Sequence, residues 1–287
     1  MAIVLGHNQY GKAEVRLVHV GAGRELVDLN VSIALSGDLA DAHLSGDNAS
    51  VLPTDSQKNT VYAFARQHGI DQIEDFALLL ARHFVDSQPS ITRARVLIES
   101  YPWLRLGEHS FQRAGAETRT ALVSYDGNDA HVLSGLSDLV LLNTTDSEFA
   151  GFIKDPYTTL PETQDRVLAT AVNARWRHGS ETSDWAASYA AARDLLVAAF
   201  VGTYSRSLQQ TLYAMGSRVL EHRPEIVEVR LSLPNRHHFL VDLSKFGLDN
   251  PGEVFVAADR PYGLIEGTVL REGQPAADIA WAAPWSF

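Results

Sequence analysis

IEDFALLLARHFVDSQPSITRARVLIE, residues 73–99, changes its hydrophobic period once, and that change sets the fold. Ile73, Phe76, Ala77, Leu80, Ala81 and Phe84 recur at the spacing of a helix that buries one face. A Ser-Gln-Pro-Ser break follows, and Ile91 to Glu99 then reads as a strand. The same design returns in LQQTLYAMGSRVLEHRPEIVEVRLSL, residues 208–233. There Leu208, Leu212, Met215, Val219 and Leu220 form the helical stripe, Pro224 marks the turn, and Ile226, Val227, Val229, Leu231 and Leu233 form the strand. Working outward, each copy is preceded by a further helix candidate, Asp55 to His68 in the first and Asp184 to Val201 in the second. Ahead of the first, Ala13 to Val20 and Glu25 to Leu35 alternate as a half-buried hairpin does, with Gly21-Ala22-Gly23 as its turn.

Strands, two helices, then more strands describe an α+β unit with an antiparallel sheet and helices on one face. The chain holds two such units, and Val132 to Leu142 is the expected crossing between them. Open sheet edges in a duplicated unit favour pairing with other subunits, so an oligomer is expected. The tail Gly273 to Phe287, rich in Ala, Pro and Trp, is expected either to pack on a neighbour or to hang loose.

Composition narrows the function. With 287 residues, 45% of them hydrophobic, the chain can bury a substantial core. A net charge of -11 argues against nucleic acid and against acidic membrane surfaces as partners. No cysteine is present, which removes disulfides, thiolate metal sites and cysteine nucleophiles. No apolar run approaches the ~20 residues that span a bilayer. Met1 to Tyr10 lacks the basic and apolar segments of a secretory signal, so a cytoplasmic protein is expected. Gly21-Ala22-Gly23 lacks the third glycine of a dinucleotide fingerprint, and neither a Walker-type loop nor a Gly-x-Ser-x-Gly elbow occurs. Nothing in the chain asks for flavin, haem or nicotinamide.

Three polar stretches carry the chemistry: Tyr10-Gly11-Lys12, Thr54-Asp55-Ser56-Gln57-Lys58-Asn59-Thr60, and Leu233-Pro234-Asn235-Arg236-His237-His238-Phe239. Thr54 and Asp55 follow Pro53 at a helix start, where N-capping by itself accounts for the residue types. It does not account for the polar run that continues to Thr60. The open N–H groups of a helix start also suit an anionic oxygen or ring nitrogen. Lys12 reads as a solvated strand lysine unless a contact brings its ammonium to the Thr54 hydroxyl. His237 and His238 sit side by side on an apparent strand and point to opposite faces, so only one can line a given pocket. None of the histidines has the His-Glu-x-x-His spacing of a zinc site, and no metal site is expected. Phe149 is by default a core residue and Arg166 a surface one. Placed together, the ring could stack on a flat ligand while the planar guanidinium donated to two acceptors. Leu208 and Gln209 open a helix, and Asn235 follows Pro234 as a turn residue would.

In Tyr10-Gly11-Lys12, Thr54 to Tyr62, Phe149 to Arg166 and Leu233 to Asp242 the chain resembles the cofactor-free urate oxidases, in order and over nearly its whole length. The resemblance implies tandem tunnelling-fold (T-fold) domains, 1–144 and 145–287 with the C-terminal tail. Their antiparallel sheets close into a barrel in a homotetramer, with helices on the outer face. It implies oxidation of urate by molecular oxygen and water to 5-hydroxyisourate and hydrogen peroxide in purine degradation, with no cofactor. By the family pattern Lys12, Thr54 and His237 are the catalytic relay. Thr54, Asp55, Phe149, Arg166, Leu208, Gln209 and Asn235 bind substrate or oxygen, in sites shared between neighbouring subunits. Departures are few: Leu208 replaces the commoner Val, Gln164 stands where some members carry Trp, and the C-terminal Pro284-Trp285-Ser286-Phe287 is not a peroxisomal address. Two alternatives remain on the residues alone: another T-fold enzyme acting on a pterin or purine, and a purine-binding sensor without catalysis.

Overall fold

The computed structural model describes residues 2–258, 260–275, 277–282 and 284. The chain forms two compact units that interleave along the sequence: Met1–Gly135 with Arg175–Tyr189 and Gly273–Phe287, and Leu136–Ala174 with Ala190–Glu272.

In the first unit, β1 (Tyr10–Val20) pairs antiparallel with β2 (Leu26–Gly37). The turn is closed by Gly21 N donating to Glu25 O and Arg24 N to Gly21 O, each at 2.9 Å. Its left-handed residue is Arg24, at φ 61°, rather than one of the glycines. Helices α1 (Ala40–Leu44), α2 (Thr54–His68) and α3 (Ile73–Asp86) follow. Then β3 (Ile91–Ser100) pairs antiparallel with β2, and a small hairpin of β4 (Trp103–Arg105) and β5 (Phe111–Arg113) leads to β6 (Thr118–Tyr125), which pairs with β3. The expected helix–turn–strand is present. All six residues of the α3 stripe are 0–5% exposed and pack with Val96, Ile98, Ile33 and Leu35 of the sheet. Each large side chain buried this way stabilises the fold by about 1.5–3 kcal/mol. Residues of β7 (Ala130–Asn143) up to Gly135 and of β8 (Leu168–His178) from Arg175 also belong to this unit, as does the first turn of α4 (Trp185–Gly202). The stretch expected as a crossing, Val132 to Leu142, lies within strand β7, along which the chain passes from the first unit to the second.

The second unit holds the remainder of β7, β8 and α4, then α5 (Leu208–His222) and β9 (Ile226–Pro234). A short ribbon of β10 (His238–Leu240) and β11 (Phe255–Ala257) precedes the last strand, β12 (Leu264–Leu270). β12 pairs antiparallel with β9. The α5 stripe Leu208, Leu212, Met215, Val219 and Leu220 is buried as its period predicts. α5 lies close to β12 because Gly216 carries no side chain: a Cβ there would stand 2.6 Å from Val269 Cγ2.

Residues 277–282 of the tail pack on their own unit. α6 (Asp278–Trp281) sets Ala280 against Leu122 and Leu133, with Leu97, Ala277 and Trp281 around them. Trp285, Ser286 and Phe287 lie outside the described residues. Among the described residues β1 pairs only with β2 and β12 only with β9, which leaves one side of each strand unpaired. No described helix is long and apolar enough to cross a membrane.

Candidate active site

The first unit positions Lys12, Thr54 and Asp55. Lys12 lies opposite Ile33 in the β1–β2 register, and Ile33 belongs to the core beneath the helices, so Lys12 stands on the helix-bearing face. Gly11 makes the close strand approach possible, because a Cβ there would sit 2.0 Å from the Ile33 carbonyl oxygen. Tyr10 ties the strand to the segment entering α2: its hydroxyl accepts from Leu52 N at 2.9 Å. Gln57, fully buried, donates from Nε2 to Leu52 O at 3.3 Å and holds the same segment from the helix side.

The α2 start corrects the capping reading. The N-cap is Pro53, and no side chain caps it. The Asp55 carboxylate instead turns along the helix, accepting from Lys58 Nζ and from Asn59 Nδ2 at 3.0 Å. These contacts, Lys58 first and the Lys12 charge as a smaller contribution, hold its pKa below the usual carboxylate value. Thr60 bonds back to Ser56 O at 2.9 Å. The polar run thus keeps its side chains off the helix terminus. The first-turn N–H groups stay open, since the first helical bond is Gln57 N to Pro53 O. Among the described residues the Thr54 hydroxyl makes no hydrogen bond.

The second unit positions the rest. Phe149 and Thr163 bind each other through both backbone pairs, at 2.9 and 3.0 Å, bringing the two ends of the Phe149–Arg166 segment together. The Arg166 guanidinium carbon lies 5.3 Å from the centre of the Phe149 ring, and Phe152 stacks on that ring at 4.9 Å and 16°. Arg166 Nε donates to Ser147 Oγ at 3.3 Å, and its two terminal nitrogens have no protein partner among the described residues. Arg166 is half-buried, not the surface residue that its type suggests, and burial lowers its proton affinity.

Asn235 is fixed by its backbone: its N–H donates to Gly263 O at 2.8 Å, and Thr170 Oγ1 holds Pro234 O at 2.9 Å. His237 lies just ahead of β10 rather than on a strand. Its ring stacks on Phe239 at 5.7 Å and 21°, and its ring nitrogens meet no protein partner among the described residues. Burial first, and the Arg166 charge second, lower its pKa. His238 differs, with its Nδ1 3.0 Å from Arg236 O. At α5, Ser207 is the N-cap and accepts from Gln210 N, leaving the Leu208 and Gln209 N–H groups in the open first turn. The Leu208 side chain is 2% exposed, so this residue can offer a ligand only its backbone. Gln209 is exposed.

The nine sequence-derived residues fall into two sets, Lys12, Thr54 and Asp55 in one unit and Phe149, Arg166, Leu208, Gln209, Asn235 and His237 in the other. Each set presents donors without protein partners. Sequence reading missed Ser147, which resembles an ordinary loop serine in Thr144-Thr145-Asp146-Ser147; no periodicity marks it as fully buried. Among the described residues no three His, Asp or Glu side chains gather as a metal site.

A family model described as Uricase matches residues 8–124 and 132–266. The uricase of Arthrobacter globiformis is 52% identical over 285 residues, which cover 98% of this chain and 94% of that protein. The uricase of Danio rerio is 36% identical over 278 residues, covering 92% and 93%. The crystal structure of the Arthrobacter globiformis uricase superposes with a TM-score of 0.95 at 51% identity, covering 98% of this chain and 99% of that one.

Proposed function

The chain belongs to the uricase family, and we propose that it oxidises urate through a proton relay of Lys12, Thr54 and His237, in a site that two subunits complete. The reaction consumes urate, molecular oxygen and water and releases 5-hydroxyisourate and hydrogen peroxide. Urate is an end product of purine oxidation, so the step belongs to purine degradation. The reading needs no cofactor, because the urate anion itself supplies the two electrons that oxygen accepts.

One observation carries the residue roles: the Arg166 guanidinium carbon lies 5.3 Å from the Phe149 ring centre with both terminal nitrogens open, while burial first and the Arg166 charge second favour the neutral form of the unpartnered His237. A flat anion stacked on Phe149 accepts two hydrogen bonds from Arg166, and the Gln209 amide satisfies the neighbouring ring edge. The open N–H groups at Thr54 and Asp55 bind its other side, favouring the ionised form. The Leu208 N–H adds a backbone donor. Asn235, anchored on both sides, holds oxygen or the attacking water above the ring plane. As the dehydrogenated ring takes up water, Thr54 passes the released proton between His237, neutral and able to accept it, and Lys12.

We further propose a homotetramer, with Lys12, Thr54 and Asp55 from one subunit facing the second set from its neighbour. The unpaired sides of β1 and β12 support subunit association. Mixing the purified protein with urate in air tests the activity. The urate ultraviolet band is expected to decay with one equivalent of peroxide, unaffected by a chelator, whereas binding without decay overturns the reading.

A second expectation concerns pH. Because the folded-state pKa of His237 is depressed, its imidazole stays neutral below about 6.5, the ordinary value, and activity is lost only as pH falls through the depressed value. Stability follows the same sign: as pH falls below the unfolded value the unfolded chain takes up this proton first, so this contribution to stability is lost on the acid side. In protein carrying labelled histidine, the signal absent from His237→Ala is expected to titrate below about 6.5 and to move up in Arg166→Gln. A midpoint that Arg166→Gln leaves unchanged contradicts the coupling.

A further inference from the structure

Phe149 and Arg166 sit on one loop and Leu208 and Gln209 on the first turn of α5, two segments that need not move together, yet buried hydroxyls and a backbone bridge join them. Ser147, Ser205 and Thr211 are each 0% exposed, a burial that hydroxyls reach only when hydrogen-bonded. The loops pair as a short parallel bridge at Ser147 and Ser205: Ser205 N donates to Asp146 O at 3.0 Å, and Glu148 N to Ser205 O at 2.8 Å. From there Thr211 Oγ1 donates to Ser205 Oγ at 2.8 Å, and Ser205 Oγ donates to Ser207 O at 3.1 Å, on the residue that caps α5. At the other end Ser147 Oγ accepts from Arg166 Nε at 3.3 Å.

We propose that Ser147 is a positioning residue for urate oxidation: its buried hydroxyl fixes the guanidinium of Arg166 in one rotation, in register with the α5 start that carries Leu208 and Gln209. An arginine on a loop has several rotatable bonds, and a contact of 5.3 Å between its guanidinium carbon and the Phe149 ring centre restrains its position without fixing its rotation. One hydrogen bond from Nε, in the plane of the guanidinium, removes that remaining freedom. The two terminal nitrogens are then presented to the ligand as a fork with a single orientation, and the ligand has less to order when it binds. Full burial suits Ser147 to this task, because no water competes for its hydroxyl. The inference rests on the reading that Arg166 holds urate.

The test measures affinity for a non-oxidisable purine analogue in wild type, Ser147→Ala, Arg166→Lys and the double variant. Arg166→Lys keeps a positive charge but has no Nε–H for Ser147 to orient. Ser147→Ala is expected to weaken binding about tenfold, the scale of one charge-assisted hydrogen bond. In the Arg166→Lys background the same change is expected to have little effect. Equal losses in both backgrounds overturn the proposal, since a purely structural serine acts whichever side chain stands at 166. If Arg166→Lys and Arg166→Gln both bind the analogue as wild type does, the role of Arg166 itself has failed, a separate outcome. Should Ser147→Ala yield no folded protein, Ser147→Cys keeps the volume with a far weaker acceptor and is expected to show the same background-dependent loss.

Discussion

Thr54→Ala is expected to lower kcat for urate oxidation by about 10²–10⁴-fold, the range for loss of a positioned proton-transfer group. Affinity for a non-oxidisable analogue should stay within about threefold, because the first-turn N–H groups do not depend on that side chain. The structure makes the experiment unusually clean. A threonine at a helix start is ordinarily suspected of capping, and its removal then costs about 1 kcal/mol of stability. Here Pro53 occupies the N-cap and no side chain closes the terminus, so the Thr54 hydroxyl has no structural bond to lose. The melting temperature of the variant should therefore match wild type, and lost turnover cannot be assigned to unfolding. Lys12→Met and His237→Ala should lose kcat on the same scale, since each removes a different member of one relay and the members act as a unit. Near-normal turnover in any one of the three removes that residue from the relay, and a fall in analogue affinity as large as the fall in kcat makes it a binding residue instead.

The sequence made the framework legible where burial imposes a period. The α3 and α5 stripes, with the strands β3 and β9 behind them, follow from spacing alone, because a helix that covers a sheet must place an apolar residue every three or four positions. The turns were less legible. Gly21 and Gly23 signal a bend, yet Arg24 takes the left-handed conformation, a choice made by hydrogen bonds across the turn rather than by residue type. Of the candidate site, the motifs supplied the residues but not their surroundings. Thr54 and Asp55 after a proline look like caps, and only the Lys58 and Asn59 contacts reveal that Asp55 is turned away from the terminus. Arg166 and Phe149 are 17 positions apart with no periodic relation, and their contact arises from the backbone pair between Phe149 and Thr163. Ser147 was illegible for a related reason. A buried hydroxyl leaves no pattern in sequence, because its burial is permitted by partners that the fold, not the neighbouring residues, supplies.

The division of the site residues between two compact units leads to the second large expected effect, recovery of activity from two inactive proteins. Thr54→Ala damages only the set that contains Lys12, and His237→Ala only the set that contains Arg166. If each site draws one set from each of two subunits, a mixed pair contains one site with both lesions and one site with neither. Refolding or co-expressing equal amounts of the variants should then restore about a quarter of wild-type activity, since half of randomly assembled pairs are mixed and half of their sites are intact. Two variants within one set, Thr54→Ala with Lys12→Met, provide the contrast: every site of every mixture keeps a lesion in that set, and no recovery is expected. A site built within a single chain predicts no recovery from either mixture, because assembly cannot exchange the halves. Dilution adds a further sign: a site shared across an interface loses specific activity as subunits dissociate and regains it on concentration, whereas a site within one chain does not depend on protein concentration.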